Sequence, residues 1–459
     1  MKSPFAGQRI AVAGMGVSGL AIAKAAQKMG ATPVVLEQRP GDVPSVMKAV
    51  DTLQGLGIEA ITGWPGRLDP EEFDLLVVSP GLPPSHPVMR DMAGKVIGEI
   101  EFAYQISDAP ILAITGTNGK STTTVMLWLT LKGAGCDAVL CGNIAGSGYP
   151  EQTLTEAAMN ATADSVLVAE VSSAQLETVK EFAPRVACIT NITSDHMDRY
   201  GTLENYENAK LNLVKNMDSS GTVVLNRDAN GIDRSKLQTT GTQAQIAEFD
   251  LKTGGPHTRI EEGRICFSGE WRDIRDLPFL GEHNLINAMT AWEMAVAFTE
   301  PNSGMLRGLL SFEPLANRME PMGDKGGVLV INNSMCTNPE AVAASSRGLP
   351  GKHHLLMGGK TKDNDFAPLK KYLAETDHIV YIFGPDPGHF ASIIGREPNS
   401  FPDMKSAFLA ATENAKVGET ILLSPGCASA EPYTNFMERG EAFRQIAKDW
   451  LENDTESEV

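Results

Sequence analysis

Ile114–Thr124 reads ITGTNGKSTTT, an apolar strand end, a glycine-rich turn and the start of a helical run. Backbone N–H groups of such a turn can wrap a phosphate, and the helix N-terminus behind them adds partial positive charge. Gly116, Thr117, Asn118, Gly119 and Thr122 are therefore candidates for nucleotide binding. Lys120 would reach the β- and γ-phosphates, and the Ser121 hydroxyl could ligate Mg²⁺. The match is to G-x-x-G-K-S, because Ile114 stands where the longer phosphate-loop motif has its first glycine.

Three further stretches carry groups of matching chemistry. VAEVSSAQLE offers Glu170 at a strand end, where a carboxylate beside the phosphate-loop strand can hold Mg²⁺ directly or through water; an ordinary solvated acid is the equally open reading. NITSDHMDRY places His196 after a strand, among Asp195, Asp198 and Arg199. A lone histidine is more often structural than a ligand, but the flanking acids favour function. Lys210, fourteen residues on in a helical stretch, would by itself pass for a surface lysine. In LGEHNLINAMTAW, Asn284 and Asn287 lie one turn apart. Their amides could read an adenine edge or cap and bridge a helix.

Near the N-terminus, IAVAGMGVSGL spaces Gly14, Gly16 and Gly19 as G-x-G-x-x-G. That fingerprint lets backbone amides and a helix N-terminus approach a diphosphate. It names a diphosphate and not its owner, so a nicotinamide cofactor does not follow from it alone.

The elements that must position these groups follow an α/β rhythm of short apolar runs alternating with amphipathic helical stretches, as in parallel sheets. RIAVAG, TPVVLE and DLLVVSPG read as strands of one system; PILAIT, SVLVAEVSS and RVACITNI as strands of a second. GGVLVINNS, HHLLMGGK, HIVYIFG and ETILLSPG read as strands of a third. Three sheets imply three domains, 1–107, 108–314 and 315–459: Rossmann-like, P-loop ATPase-like and Rossmann-like. The length of 459 residues suits that number. With 42% apolar and 21% charged residues the chain has the composition of a packed soluble protein. A net charge of −18 offers no basic stripe for nucleic acid, yet leaves room for small anions held by local donors. The six cysteines form no CxxC pair and read as reduced cytosolic thiols, and no run reaches the roughly 20 apolar residues of a membrane span.

The order of these separated stretches resembles the Mur ligase family. The resemblance runs from GMGVSG through GTNGKST, EVSSAQLE, NITSDHMDRY, GEHNLINAMTA and NRMEP to LSPGCASAEPYTNFMERG, nearly the whole length. It implies a cytoplasmic, monomeric, ATP- and Mg²⁺-dependent amide ligase of peptidoglycan precursor synthesis. Its partners would be small molecules, without nucleic acid or membrane insertion. The reaction implied is addition of D-glutamate to UDP-N-acetylmuramoyl-L-alanine through an acyl phosphate, with L-glutamate or another amino acid as the alternative. By the same resemblance Val17 and Ser18 would lie in the diphosphate loop, Glu37 and Gln38 near uracil, Ser79 and Gly81 nearby, and Asn143 on the muramoyl part. Asn287 would contact adenine, Arg318 would reach the ATP phosphates, and Asn333 could hydrogen-bond a ribose hydroxyl. Glu170 and His196 would hold Mg²⁺, and Lys210 would be carboxylated by CO₂ to complete a second metal site. Thr337, Lys362, Ser429 and Phe436 would receive the incoming glutamate.

The third domain departs from the family pattern. Asn333 stands for an aspartate, Met335 for a lysine, Asn317 for a histidine and Lys360 for an aspartate; Ala174 and Ala430 replace larger apolar residues. Met335 removes a cation near the ligand and Lys360 adds one, which reads as a divergent branch with compensating charges.

Overall fold

Runs such as Ile10–Ala13 and Ser165–Glu170 are buried along their whole length. Apolar strands covered on both faces are what parallel sheets require, because the crossover helices pack on each side. The computed structural model describes residues 3–229, 231–279, 281–347, 349, 351–360, 366–384, 392 and 399–452. Its first sheet is five-stranded and parallel, in the order Glu59–Thr62, Thr32–Glu37, Arg9–Ala13, Leu75–Val78, Val96–Gly98.

The central sheet has six parallel strands, ordered Gln245–Phe249, Thr222–Asn226, Val186–Ile189, Ile111–Thr115, Ser165–Glu170, Asp137–Gly142. Strand order reverses around Ile111–Thr115, so the loops after its two neighbours open a crevice at the carboxyl edge, where open α/β sheets bind ligands. The C-terminal sheet runs Glu320–Lys325, Val328–Asn332, Thr420–Leu423, His353–Gly358, His378–Phe383, Asn399–Phe401, with Glu320–Lys325 antiparallel at one edge.

A fourth sheet corrects the expectation of three. Thr258–Glu261, Arg264–Phe267 and Glu270–Asp273 form a three-stranded antiparallel meander. Its two-residue turns, Glu262-Gly263 and Ser268-Gly269, have positive φ throughout (48° and 75°, 48° and 98°). Such turns match the twist of a hairpin. The E-G and S-G pairs flanked by short β-prone runs are the signal that was present in the sequence.

The phosphate-loop helix, Lys120–Gly133, is seated by backbone contact with the helix Ser303–Leu310. A Cβ at Gly308 would lie 2.1 Å from the Leu129 carbonyl oxygen, and one at Gly133 would lie 2.2 Å from that of Gly304. Neither helix has a flexible side chain at the contact that could give way. We expect Gly308→Ala to destabilise the protein by about 1–3 kcal/mol, the usual cost of overpacking. Gly55→Ala, where a Cβ meets nothing within 4 Å, should be neutral; urea denaturation of the two variants makes the comparison.

Candidate active site

The strand Ile111–Thr115 delivers the chain into a loop whose last residue, Gly119, has φ 84° and ends directly at the helix beginning with Lys120. The loop is clamped from the next strand's exit. Asn118 N–H donates to Asn191 Oδ1 at 3.0 Å and Asn191 Nδ2 returns a bond to the Asn118 carbonyl at 3.1 Å. Thr190 Oγ1 adds a bond to the same carbonyl at 2.6 Å, and the Thr117 hydroxyl meets Thr193 and the Tyr206 hydroxyl. The loop is therefore pre-shaped by the protein's own amides and hydroxyls, while Thr122 lies buried in the first helical turn.

Two lysines meet this loop through backbone oxygen. Lys120 Nζ donates to the Thr117 carbonyl at 2.9 Å and Lys210 Nζ to the Gly116 carbonyl at 2.7 Å. Lys210 is 1% exposed and its ammonium sits 4.3 Å from the centre of the Tyr206 ring. Burial holds the Lys210 ammonium well below its ordinary pKa, with Lys120 pushing the same way and Asp195 and Glu170 opposing. Burial also lowers Lys120, against the pull of Glu170. Arg318 arrives from the segment before the C-terminal sheet, close enough to repel Lys120 and to be attracted by Glu170. Its buried Nε has no hydrogen-bond partner among the described residues.

Oxygen donors face these cations. The Ser121 hydroxyl donates to Glu170 Oε2, and Asn143 Nδ2 donates to Glu170 Oε1 at 3.2 Å. A serine hydroxyl beside a buried carboxylate is a hard-oxygen donor set of the kind Mg²⁺ takes, so Ser121 and Glu170 fit that ion. The His196 ring lies 6.2 Å from that of Tyr206, over which the Lys210 ammonium sits. The His196 side chain is 55% exposed, in a left-handed backbone conformation, and its Nε2 lies 3.9 Å from Asp195. Among the described residues no three His, Cys, Asp or Glu side chains form a metal cluster.

Other candidates take defined places. Asn287 Oδ1 accepts from Thr123 and its Nδ2 donates to Asn284, which makes it a brace beneath Gly119. Asn333 is likewise engaged within the C-terminal sheet, by Met319 N–H and the Ser424 hydroxyl. Asn317, also buried, accepts from Asn332 Nδ2. Ser429 Oγ is buried without a partner among the described residues, and Thr337 is partly accessible. Phe436 opens the helix Phe436–Glu452 and lies beside Gly146, in the loop that also carries Asn143. Lys362 lies outside the described residues.

At the first sheet, Ser79 Oγ is buried against Gly14 without a partner among the described residues, at the turn where a diphosphate is expected. Val17 stands 70% exposed there, with Ser18 beside it and open space at Gly81. Glu37 is spent on Arg39 (2.9 Å) and the Met15 N–H (3.2 Å). Arg39 is the main cause of its pKa falling to about 2. Gln38 and His86 converge on Gly66 nearby.

Comparison with known proteins gives the family. Residues 114–295 match the family model for the Mur ligase middle domain, and residues 317–427 match the Mur ligase, glutamate ligase domain. The UDP-N-acetylmuramoylalanine--D-glutamate ligase of Thermoanaerobacter sp. (strain X514) is 34% identical over 458 residues, 96% of this chain and 98% of the relative. The chain belongs to the Mur ligase family.

The Mur ligase of the same printed name from Escherichia coli (strain K12) is 32% identical, over 97% of this chain and 99% of that one. Among solved structures, MurF ligase from Thermotoga maritima in complex with ADP superposes with a TM-score of 0.59 at 16% identity, over 91% of this chain and 96% of that chain. At that identity the likeness speaks for the fold.

Sequence reasoning passed over several residues that shape this Mur ligase site. Asn191, Thr190 and Tyr206 hold the loop, and no spacing rule marks them. Asn338 was legible only as a helix cap before Pro339. His283, next to Asn284, is partly buried, and its Nδ1 is shielded from solvent without a partner among the described residues. Burial lowers its pKa from 6.5 to about 4. Between those values the unfolded chain takes up the proton first, so stability falls as pH drops from 6.5 towards 4 and levels off below. The span is worth about 3 kcal/mol. His283→Gln should flatten that part of the pH–stability curve, measured by urea denaturation; an unchanged slope would place the pH dependence elsewhere.

Proposed function

We propose that this Mur ligase joins D-glutamate to UDP-N-acetylmuramoyl-L-alanine using ATP, as the printed names of its full-length relatives say of them. The observation that carries the reading is one crevice in which Lys120, Lys210 and Arg318 surround the Ser121–Glu170 pair at a phosphate loop. A carboxylate and an ammonium do not condense in water, and two polyanions must first meet for the carboxylate to be activated. Two cations set against neutral partners, Lys120 and Arg318, are suited to that step.

In this reading residues 1–107 hold the UDP end, through the Gly14–Gly19 turn, Val17, Ser18, Ser79 and the Glu37–Gln38–Gly81 neighbourhood. Residues 108–314 hold ATP, and residues 315–459 present glutamate through Thr337, Lys362, Ser429 and Phe436. An oxygen of the L-alanyl carboxylate attacks the γ-phosphorus and ADP leaves. Lys120 and Arg318 stabilise the charge on the transferring group. The glutamate amine, having lost its ammonium proton, attacks the acyl carbon, and phosphate departs with that carboxylate oxygen. Asn143, bonded to Glu170 in the loop whose Gly146 lies beside Phe436, is placed to orient the carboxylate end of the acceptor.

Ser121 and Glu170 would hold Mg²⁺, with His196 joining from the same sheet edge; the ion supplies charge neutralisation on the phosphates. The buried, readily deprotonated Lys210 amine can add CO₂, releasing a proton and becoming a carbamate that offers oxygen in place of positive charge. All these groups lie in one chain, which supports action as a monomer, and the six free cysteines are consistent with the cytoplasm.

Phosphate release with UDP-N-acetylmuramoyl-L-alanine and ATP, run across D-glutamate, L-glutamate, L-lysine and meso-diaminopimelate, tests the reading. D-glutamate should give the highest kcat/KM. A higher value with any other amino acid overturns the assignment. Lys120→Ala should lower turnover by about 10²–10³-fold while UDP-substrate binding persists; joint loss of binding would contradict the division of labour between the sheets. Lys210→Ala should be inactive and partly restored by short carboxylates, and absence of rescue would count against the carbamate.

A further inference from the structure

The helix Pro339–Ser346 follows Thr337 directly and touches the central sheet's elements at both ends. At its start, Asn338 divides its amide between two tasks. Oδ1 accepts from the Ala341 N–H at 2.8 Å and caps the helix, while Nδ2 donates to Asn118 Oδ1 in the phosphate loop at 3.3 Å. Near its end, the Ala344 backbone approaches the partly buried His283, and the Arg347 carbonyl lies against Gly281. His283 begins the helix whose Asn284 and Asn287 brace the loop from below at Thr123.

We propose that Asn338 is a positioning residue that couples occupancy of the phosphate loop to the amino-acid side of the site. The proposal rests on the assignment of ATP to that loop and of glutamate to the Thr337 side. The physical reason is geometric. The Asn118 backbone is fixed by Asn191 and Thr190, so its side chain is the part of the loop left to respond. A nucleotide phosphate seated in the loop orients that amide, and Asn338 can bond to it only when the helix and Thr337 lie against the loop. Because the cap is the same side chain's other atom, the position of the helix start is tied to the loop. The Pro339 ring that follows cannot donate a backbone N–H in its place.

The test separates the two tasks of Asn338. Asn338→Ser keeps a capping oxygen, since serine is as good a cap as asparagine, but has no Nδ2 to reach Asn118. Asn338→Asp keeps both length and cap, but its carboxylate has no donor for the Asn118 Oδ1 that a phosphate-bound Asn118 presents. We expect Asn338→Ser to raise the KM for D-glutamate by roughly five- to tenfold, the scale of one interdomain hydrogen bond. The UDP-substrate KM and the thermal midpoint should stay near wild type, and Asn338→Asp, which also keeps the cap and lacks the donor, should show a loss of similar size. In wild type the glutamate KM should fall as ATP approaches saturation; in Asn338→Ser the two should become independent.

A second readout needs no turnover. Small-angle scattering with a non-hydrolysable ATP analogue should report compaction in wild type and less in Asn338→Ser. If wild type makes no product from D-glutamate but Asn338→Ser still loses compaction, the functional reading fails and the coupling stands. Unchanged KM values and unchanged compaction in Asn338→Ser overturn the coupling. So does a wild-type glutamate KM in Asn338→Asp, and so does additivity of Asn118→Ser with Asn338→Ser in a double-mutant cycle.

Discussion

Positive charge buried against neutral partners is the constraint around which the molecule is arranged. Lys120 and Lys210 are held by the carbonyls of Thr117 and Gly116, and Arg318 brings a guanidinium nitrogen with no partner among the described residues. Removing cations from water without a paired anion is costly, and the cost appears as the depressed pKa of all three. A polyphosphate delivered to the loop supplies the missing anion. Such a site would be better matched to a bound, charged substrate than to its own free state, which is a condition for electrostatic catalysis.

Two kinds of support keep that arrangement in place. Beneath the loop, rigid backbone contact at Gly133, Gly304 and Gly308 and the Thr123–Asn287–Asn284 chain fix the helix that starts at Lys120. Around it, segments distant in sequence contribute one group each: Asn143 and Glu170 from neighbouring strands, Asn191 from the next, Arg318 and Asn338 from the C-terminal part. The N-terminal sheet is locked to the central one differently. The Glu101 carboxylate accepts the backbone N–H groups of Lys180, Glu181 and Phe182. Arg199 pairs with Glu177 at 2.6 Å and also reaches the Leu82 carbonyl.

Much of this was legible in the residues. Glycine-rich turns between apolar runs and helices reveal phosphate loops because few other conformations need them, so Gly14–Gly19 and Gly116–Ser121 announced themselves. Parallel strands buried on both faces are continuous apolar runs, and the inner strands of the three large sheets were readable that way; part-exposed edge strands such as Glu59–Thr62 and Glu320–Lys325 were not. The small antiparallel sheet was harder: its strands are four residues long and partly exposed, so periodicity is weak and the turn dipeptides carry the signal. Asn287 and Asn333 show the opposite limit. An amide's residue type fits ligand recognition and internal bracing equally, and only the partners supplied by distant segments reveal that both are engaged inside the protein. Glu37 is a similar case, since Arg39, two residues away, takes the carboxylate. His196 could be placed at a strand exit from sequence, but not the half-exposed orientation its left-handed backbone imposes.

The central claim is that the cationic crevice moves a phosphoryl group onto the L-alanyl carboxylate before the amide forms. Carboxylate oxygens of UDP-N-acetylmuramoyl-L-alanine labelled with ¹⁸O test it most directly. With ATP and D-glutamate, the account predicts ADP together with inorganic phosphate carrying one ¹⁸O per amide bond made. Unlabelled phosphate, or AMP and pyrophosphate in place of ADP, would contradict it.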